Sequence, residues 1–452
     1  MELNMGLGRR FALGAGDFGF NLYWQTASIY LLFFYTDVLG LAPAVAGAIY
    51  MAALIWDAAL DPLIGSLADR TRTRFGRYRP YLLFGGLPLA VIFAAMFAGP
   101  AGDSTAGMVF AAILHVGFRS LYAVISIPYA SLFARVTRDA RIRADLAGIR
   151  MVFATVSALL VASLTLPLVK ALGTEDAPRR GWVMLALIFG VIASLSLLLA
   201  AWAAKGYDKI EDQAQQKPPM KALLRSLYLN RPLMLVLGAV MIASISSTLF
   251  GKNLLYYFKY VVGRAELGSA AMGVVALVAA LSVPIFTWLA RTYGKRRAWL
   301  VGAVPAIIGI CCWHWSDGMP LPFLFVSLAL CAMGTGAYGV CFWSMLPDTV
   351  EYGEWRSGVR AESLIFGCGV LAQKVALGVG AGVLGLALKQ IGYVPNELQS
   401  AATLNDLKQL MFWVPLIGGL VSAALVYFYP IGLKEHARIV EEIAARKLPV
   451  SE

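Results

Sequence analysis

The 452-residue chain is poor in charged side chains and in the residues on which most enzymes depend. Asp, Glu, Lys and Arg together make up 14% of it, and it contains only three histidines. We find no nucleophile–base pair, no cluster with metal-ligand spacing and no glycine-rich phosphate loop, so the sequence predicts neither an enzyme nor a resident cofactor or metal. Hydrophobic residues make up 59%, and the mean hydropathy is +0.71. That composition excludes an ordinary water-soluble protein and predicts a polytopic membrane protein.

The five cysteines do not indicate a disulfide framework. Their number is odd, no CxxC spacing occurs, and every one lies in an apolar stretch, so we interpret them as packing residues. They are Cys311, Cys312, Cys331, Cys341 and Cys368.

The net charge of +12 comes from short basic runs between apolar stretches. This is the distribution that the positive-inside rule describes, and it indicates anionic lipid rather than nucleic acid as the electrostatic partner. The runs at Arg9/Arg10, Arg70 to Arg79, Arg135 to Arg143 and Arg291 to Arg297, with the tail, fall on one side, which we predict to be cytoplasmic together with both termini.

Twelve apolar runs are long enough, at about 20 residues each, to cross a bilayer. The predicted fold is therefore all-α, with 12 transmembrane helices in two six-helix bundles. We predict an N-terminal bundle over 1–204, a cytoplasmic linker over 205–232, a C-terminal bundle over 233–432 and a cytoplasmic tail over 433–452 that forms a short amphipathic helix. Two halves with a long linker are typical of secondary transporters rather than channels. We expect the protein to be a monomer in a bacterial inner membrane.

Asp57 and Asp61 are the first candidate functional residues. They lie four positions apart, so a helix places both carboxyl groups on one face, at the end of a span without charge from Ala44 to Leu54. Such a pair needs a proton, a metal cation or a basic side chain to neutralise it, unless the acids simply face water at a helix end. We predict a cation-coupling site, which would also include Asp17 and Asn21 of the first span.

Other polar and aromatic residues at membrane depth are predicted to bind the substrate. Aromatic faces beside hydroxyl, amide and charged groups suit a sugar, although His115 could equally be hydrogen-bonded within the bundle and Lys259 could extend to the outer surface. The predicted substrate-binding residues are Asn21, Trp24, Arg119, Tyr122, Ser126, Arg150, Lys252, Tyr256, Trp343 and Lys374. A separate cytoplasmic gate or ion-pair network is predicted from Arg77, Asp348, Glu351, Glu354 and Arg360.

Several motifs give the chain a family resemblance. It is similar over nearly its whole length to the glycoside–pentoside–hexuronide:cation symporters of the melibiose-permease type, in the major facilitator superfamily. The motifs are Phe34-Tyr35-Thr36-Asp37-Val38-Leu39-Gly40-Leu41, Trp56-Asp57-Ala58-(x)2-Asp61-Pro62, Gly76-Arg77-(x)2-Pro80, Ile127-Pro128-Tyr129 and Asp348-(x)2-Glu351-Tyr352-Gly353-Glu354 with Arg360-(x)-Glu362-Ser363.

The resemblance implies alternating access and sugar uptake driven by Na⁺, Li⁺ or H⁺. It assigns Asp57 and Asp61 to the cation site, Arg150 and Lys374 to the cavity, and Tyr122 to the sugar. The chain departs from the family type at three positions, where Asn21 and Ser126 replace sugar-binding acids and Ala123 replaces a threonine implicated in sodium binding.

These departures shape the expected function. Losing a hydroxyl ligand and gaining the positive charge of Arg119 both disfavour Na⁺, so we expect coupling to H⁺ through Asp57 or Asp61. Arg119 and Lys252 suggest an anionic sugar such as a uronide. The alternatives are a lysolipid or other amphiphile transporter of the same fold and an uncoupled exporter; the sequence leaves open which sugar is carried and the ion stoichiometry.

Overall fold

The structure is a computed structural model that describes residues 5–100, 104–136, 140–174, 177–208, 225–316 and 318–447. Within these residues every regular element is a helix, apart from two isolated β-bridges in turns. Most of the predicted linker, part of the basic run from Arg135 to Arg143 and the last five residues of the predicted tail lie outside the described residues.

Among the described residues, twelve long α-helices and one shorter helix follow one another along the chain. Their bounds are α1 Leu7–Phe33, α2 Pro43–Arg70, α3 Arg79–Met96, α4 Thr105–Val136, α5 Ala140–Leu172, α6 Pro178–Ala203, α7 Arg231–Tyr256, α8 Leu267–Tyr293, α9 Lys295–His314, α10 Leu321–Ser357, α11 Glu362–Gln390, α12 Ala401–Tyr427 and α13 Leu433–Lys447. A π-helical turn continues α1 over Phe34–Val38 and another continues α7 over Tyr257–Val261.

Eleven of the described helices, α2 to α12, are long and apolar enough to cross a membrane. Helix α1 has 27 residues and contains Arg9, Arg10 and Asp17, and it is not among the eleven. The all-helical membrane fold is confirmed, whereas the count of twelve spans and the side on which the termini lie stay predictions. Helix α13 occupies the stretch for which a short amphipathic tail helix is predicted.

The chain forms two compact units, and neither is a continuous half of the sequence. Unit 1 contains Met1–Gln213, Gly251–Gly273 and Ala381–Leu404, and unit 2 contains Ala214–Phe250, Val274–Gly380 and Asn405–Glu452. Unit 1 therefore joins the whole predicted N-terminal bundle to the end of α7, the start of α8 and the end of α11. The predicted division at 205–232 stays a prediction.

In unit 1, α1 packs on α5 and α6, α3 packs on α4 and α6, and α2 packs on α4. Aromatic side chains fill these interfaces: Tyr23 of α1 meets Phe93 of α3 edge to face with ring centroids 4.9 Å apart, and Phe97 stacks on Trp182 of α6 at 5.8 Å. Offset and edge-to-face ring pairs stabilise helix contacts where lipid removes the usual hydrophobic drive.

A carboxylate at the end of α6 fixes the basic turn between α2 and α3. The Asp208 Oδ2 atom accepts hydrogen bonds from the backbone N–H groups of Tyr78 at 2.7 Å and Arg79 at 2.9 Å, which caps the N-terminus of α3 from outside the helix. The Tyr78 hydroxyl in turn donates to Asp69 at the end of α2. The position of the Arg-rich turn is therefore set by three helices.

In unit 2, α9 packs along α10. Trp299 is fully buried and stacks on Tyr338 with ring centroids 5.1 Å apart. The shorter helix α13 packs on the end of α10, where Glu442 accepts a hydrogen bond from the Trp355 indole at 2.6 Å and Arg446 donates to the Trp355 carbonyl.

Candidate functional site

An ion pair joins α1 and α5 in unit 1. Arg150 donates from Nε to Asp17 Oδ2 at 2.5 Å and from Nη2 to Asp17 Oδ1 at 3.1 Å, so the contact is bidentate. The hydroxyl of Tyr129, on α4, donates to the same Oδ2 atom at 2.8 Å. Asp17, predicted for cation coupling, and Arg150, predicted for substrate binding, therefore neutralise each other. Three helices meet at the Asp17 carboxylate.

Asn21, one turn further along α1, is oriented by its own helix. Its amide donates to the Asp17 carbonyl at 2.9 Å, and its side-chain oxygen accepts a weak contact from Gln25 at 3.4 Å. The amide thus has free hydrogen-bonding capacity beside the ion pair, because an asparagine can take part in four such bonds.

Arg119 on α4 is fully buried, and its guanidinium lies 4.8 Å from the centre of the Trp24 ring. Its Nε atom lies 3.4 Å from Nε2 of His115, one turn earlier. Within the described chain, neither Nη1 nor Nη2 of Arg119 has a hydrogen-bond partner, nor does Nδ1 of His115. The guanidinium therefore presents four unused N–H donors.

Lys252 on α7 is the second buried cation, 6% exposed. Its ammonium donates to the backbone carbonyl of Ser28 on α1 and lies 4.1 Å from the centre of the Tyr50 ring of α2. The Arg119 guanidinium lies 6.0 Å from the same ring. Among the residues that the structure describes, neither cation forms an ion pair, so aromatic rings and a carbonyl are their immediate electrostatic partners.

Asp57 and Asp61 lie on α2 in the same unit, Asp57 fully buried and Asp61 partly so. Tyr122, on α4 of the same unit, lies three positions after Arg119. The Tyr122 ring in turn contacts Trp24, with ring centroids 5.8 Å apart. Trp24 therefore contacts both the Arg119 guanidinium and the Tyr122 ring, while the role of Asp57 and Asp61 stays a prediction.

The structure also describes the remaining predicted substrate-binding residues. Trp343 is 44% exposed and Lys374 half-buried, and both belong to unit 2. Ser126 is half-buried on α4, one turn from Tyr122. Tyr256 is fully buried, and its hydroxyl is 2.8 Å from that of Thr36.

The predicted gate residues of unit 2 form ion pairs at the ends of α10 and α9. Lys295 donates to Asp348 at 2.5 Å, and His436 of α13 contacts Glu351 at 2.5 Å and Asp348 at 3.4 Å. Arg360 donates to Glu354 at 3.0 Å, a hydrogen bond that raises the pKa of the Arg360 guanidinium. Arg77 is buried in unit 1, and its membership of the network stays a prediction.

Asp37, in the π-helical turn that continues α1, is a buried carboxylate that was not among the predicted site residues. Its side chain is 1% exposed and accepts hydrogen bonds from Lys259 at 2.5 Å, Tyr260 at 2.5 Å and Tyr393 at 2.8 Å. Burial and this carboxylate raise the pKa of Tyr393 well above its ordinary value. Lys259 also donates to Asn396 Oδ1 at 2.7 Å, and its side chain is 25% exposed, so the interpretation that it extends to the outer surface stays a prediction. The available signal was the Phe-Tyr-Thr-Asp motif.

A comparison with protein families gives a match over residues 12–432 to the family described as MFS/sugar transport protein. The chain belongs to this family. The resemblance to glycoside–pentoside–hexuronide symporters within the major facilitator superfamily is thereby confirmed, and the protein is a multi-pass membrane transporter rather than an enzyme.

Two curated relatives match this transporter over almost its full length. One is the isoprimeverose transporter of Lactiplantibacillus pentosus, 34% identical over 425 residues, which cover 93% of this chain and 88% of the relative. Another is the glucuronide carrier protein homolog of Escherichia coli K12, 30% identical over 438 residues, with 96% and 94% covered. Both support a sugar-type transporter.

Among solved structures, a bacterial homolog of the human lysosomal transporter Spinster shares the fold with a TM-score of 0.72. The identity is 14%, and the match covers 97% of this chain and 99% of that one. At this identity the likeness shows the fold alone.

Proposed function

We propose that this sugar-type transporter imports an anionic sugar or glycoside, of the uronide class, together with H⁺. The observation that carries the proposal is the buried guanidinium of Arg119, whose two terminal nitrogens have no hydrogen-bond partner in the described chain. Lys252 adds a second buried cation without an ion pair in that same part of the chain.

Two buried cations are costly without an anion. Removing a charged group from water costs several kcal/mol even after the protein relaxes, and one aromatic ring returns only about 0.5–2 kcal/mol. A substrate carboxylate offers the planar pair of oxygens that a guanidinium fork binds best. The free donors of Arg119 are therefore suited to a sugar acid rather than to a neutral sugar.

The aromatic residues supply the rest of a sugar site. The Trp24 ring lies beneath the Arg119 guanidinium and beside the Tyr122 ring, and Asn21 contributes an amide on the same helix as Trp24. Apolar ring faces next to hydrogen-bonding groups suit a pyranose. A lysolipid would require a larger apolar surface around its acyl chain, and the buried charged residues Asp57, Arg119 and Lys252 of unit 1 disfavour that alternative.

Coupling to H⁺ is supported by the surroundings of Asp57 and Asp61. A buried carboxyl group binds a proton without the oxygen cage that Na⁺ needs, and Ala123 and Arg119 both weaken such a cage. A monoanionic uronide carried with one proton has no net charge. Its accumulation would then follow the pH gradient and not the membrane potential.

The test compares two substrates that differ in one group, p-nitrophenyl glucuronide and p-nitrophenyl glucoside, in uptake by cells that express wild-type protein or Arg119→Gln. We expect wild type to prefer the glucuronide. Loss of hydrogen bonds to a charged group, about 1.5–3 kcal/mol, should weaken glucuronide affinity in Arg119→Gln by about 10- to 100-fold and leave glucoside affinity unchanged.

Arg264→Gln is the matched control, because Arg264 is an exposed arginine, paired with Glu266 on the surface, and should alter neither substrate. Equal use of both glycosides by wild type, or an equal loss of both in Arg119→Gln, would contradict an anion site at Arg119.

A further inference from the structure

The two π-helical turns have the same architecture. In the first, Leu39 N–H bonds to Phe34 O and Leu41 N–H to Tyr35 O, both at 2.9 Å; in the second, Val262 bonds to Tyr257 at 3.0 Å and Arg264 to Phe258 at 2.9 Å. Each turn is followed by a glycine with positive φ, Gly40 at 76° and Gly263 at 72°. One local structure therefore occurs twice, after the first helix of each half of the sequence.

The two repeats touch each other inside unit 1 through equivalent positions. Asp37 bonds to Tyr260, its counterpart 223 residues later. One turn earlier, Phe33 meets Tyr256 edge to face with ring centroids 5.5 Å apart. Contacts between equivalent positions are what a transporter fold built from two repeats allows.

A third segment closes the cluster. Tyr393, in the loop between α11 and α12, donates to Asp37 and contacts Tyr260 at 3.1 Å, while the Asn396 amide donates to the Asp37 carbonyl at 2.8 Å. Close helix packing accompanies it: a Cβ built on Gly47 of α2 would lie 2.9 Å from the Ala381 carbonyl of α11. One carboxylate thus joins the N-terminal part of the chain to two distant segments.

The position of the cluster along α2 suggests its role. Asp37 precedes the first residue of α2, and the Arg-rich turn follows the last residue of α2. Helix α2 has 28 residues, so its two ends are about 42 Å apart. By the positive-inside rule the Arg-rich end faces the cytoplasm, so Asp37 belongs to the outer end.

We propose that the Asp37 cluster, defined as Asp37, Lys259, Tyr260, Tyr393 and Asn396, is an outer latch that must release its donors each time the transporter opens to the exterior. Several hydrogen bonds to the buried Asp37 carboxylate hold the three segments together while the outer end is closed. Once water enters, the same donors and acceptor are solvated separately, so the latch opens at modest cost. The proposal rests on neither the sugar nor the coupling ion.

The experiment uses a cysteine reporter behind the latch. Ser28→Cys, placed on α1 where its carbonyl meets Lys252, is introduced into full-length protein whose five native cysteines have been replaced. Intact cells are then treated with a membrane-impermeant maleimide from outside, without substrate. We expect Asp37→Asn, which removes the charge but keeps the shape, to raise the labelling rate at least about tenfold over the reporter alone.

Glu266→Gln is the matched control, since Glu266 forms an exposed ion pair with Arg264 beside the second π-helical turn and should leave labelling unchanged. If Asp37→Asn does not reach the membrane, Tyr393→Phe provides the test. It removes one hydroxyl group from the cluster and should give a smaller increase in the labelling rate. Labelling rates that equal the reporter's in every latch variant that reaches the membrane would overturn the proposal. Failure of uronide uptake in wild type would leave this outcome unaffected.

Discussion

Replacing both Asp57 and Asp61 by Asn is expected to abolish accumulation of substrate against a gradient, while exchange of substrate across the membrane continues. The amide keeps the shape and hydrogen-bonding capacity of the carboxyl group but cannot take up and release a proton. One proton moving down one pH unit supplies about 1.4 kcal/mol, or roughly tenfold accumulation. Without a titratable group at this position, that work is no longer coupled to the sugar.

The measurement uses proteoliposomes with an acidic exterior and a radiolabelled glycoside. Wild type should accumulate the glycoside until the pH gradient is collapsed by an ionophore, and the double variant should only equilibrate it. Counterflow in the same vesicles shows that the double variant still binds and moves substrate. Glu397→Gln serves as an exposed carboxylate control. Accumulation by the double variant equal to that of wild type would exclude both acids from coupling.

The second large effect is expected at the Asp17–Arg150 pair. Removing one partner of a buried ion pair leaves the other charge uncompensated, which typically costs about 3–5 kcal/mol. The side chains of Arg150 and Asp17 are 31% and 15% exposed, so we expect about 3 kcal/mol for Arg150→Gln. Asp17→Asn should cost less, because the Tyr129 hydroxyl can still donate to the side-chain oxygen at this position.

Thermal unfolding of the purified protein in detergent tests this pair. Each single variant should unfold at a lower temperature, and the Asp17→Asn, Arg150→Gln double variant should regain more than half of the loss, because no charge is then left alone. The exposed pair of Arg264 and Glu266 gives a control double variant without a shift. Additive losses in the Asp17, Arg150 double variant would mean that the two residues act independently.

Much of this organisation could be predicted from spacing alone. Apolar length predicted the helices α2 to α12, and the four-residue spacing of Asp57 and Asp61 indicated their shared face. Arg119 was identified because a single arginine inside an apolar helix is expensive in a membrane. Each of these inferences depends only on residues that are close in sequence.

The contacts that sequence reasoning missed join residues that are far apart. Asp37 and Tyr393 are 356 residues apart, and Asp17 and Arg150 are 133 apart. No local pattern reveals that Asp17 is already neutralised by an arginine or that Lys259 pairs with an acid. Assigning Asp17 to cation coupling stays a prediction, and its bidentate partner makes Asp57 and Asp61 the stronger candidates.

The docking of α13 on α10 has a practical consequence for work on this protein. The Trp355 indole donates to Glu442, the Trp355 carbonyl accepts a hydrogen bond from Arg446, and Ile439 is 1% exposed. Trimming the chain after residue 432, a routine step before crystallisation, would uncover an indole and leave its N–H to water. We expect the shortened protein to elute earlier from a sizing column through self-association, so tags for purification are better placed beyond residue 452 than in place of the tail.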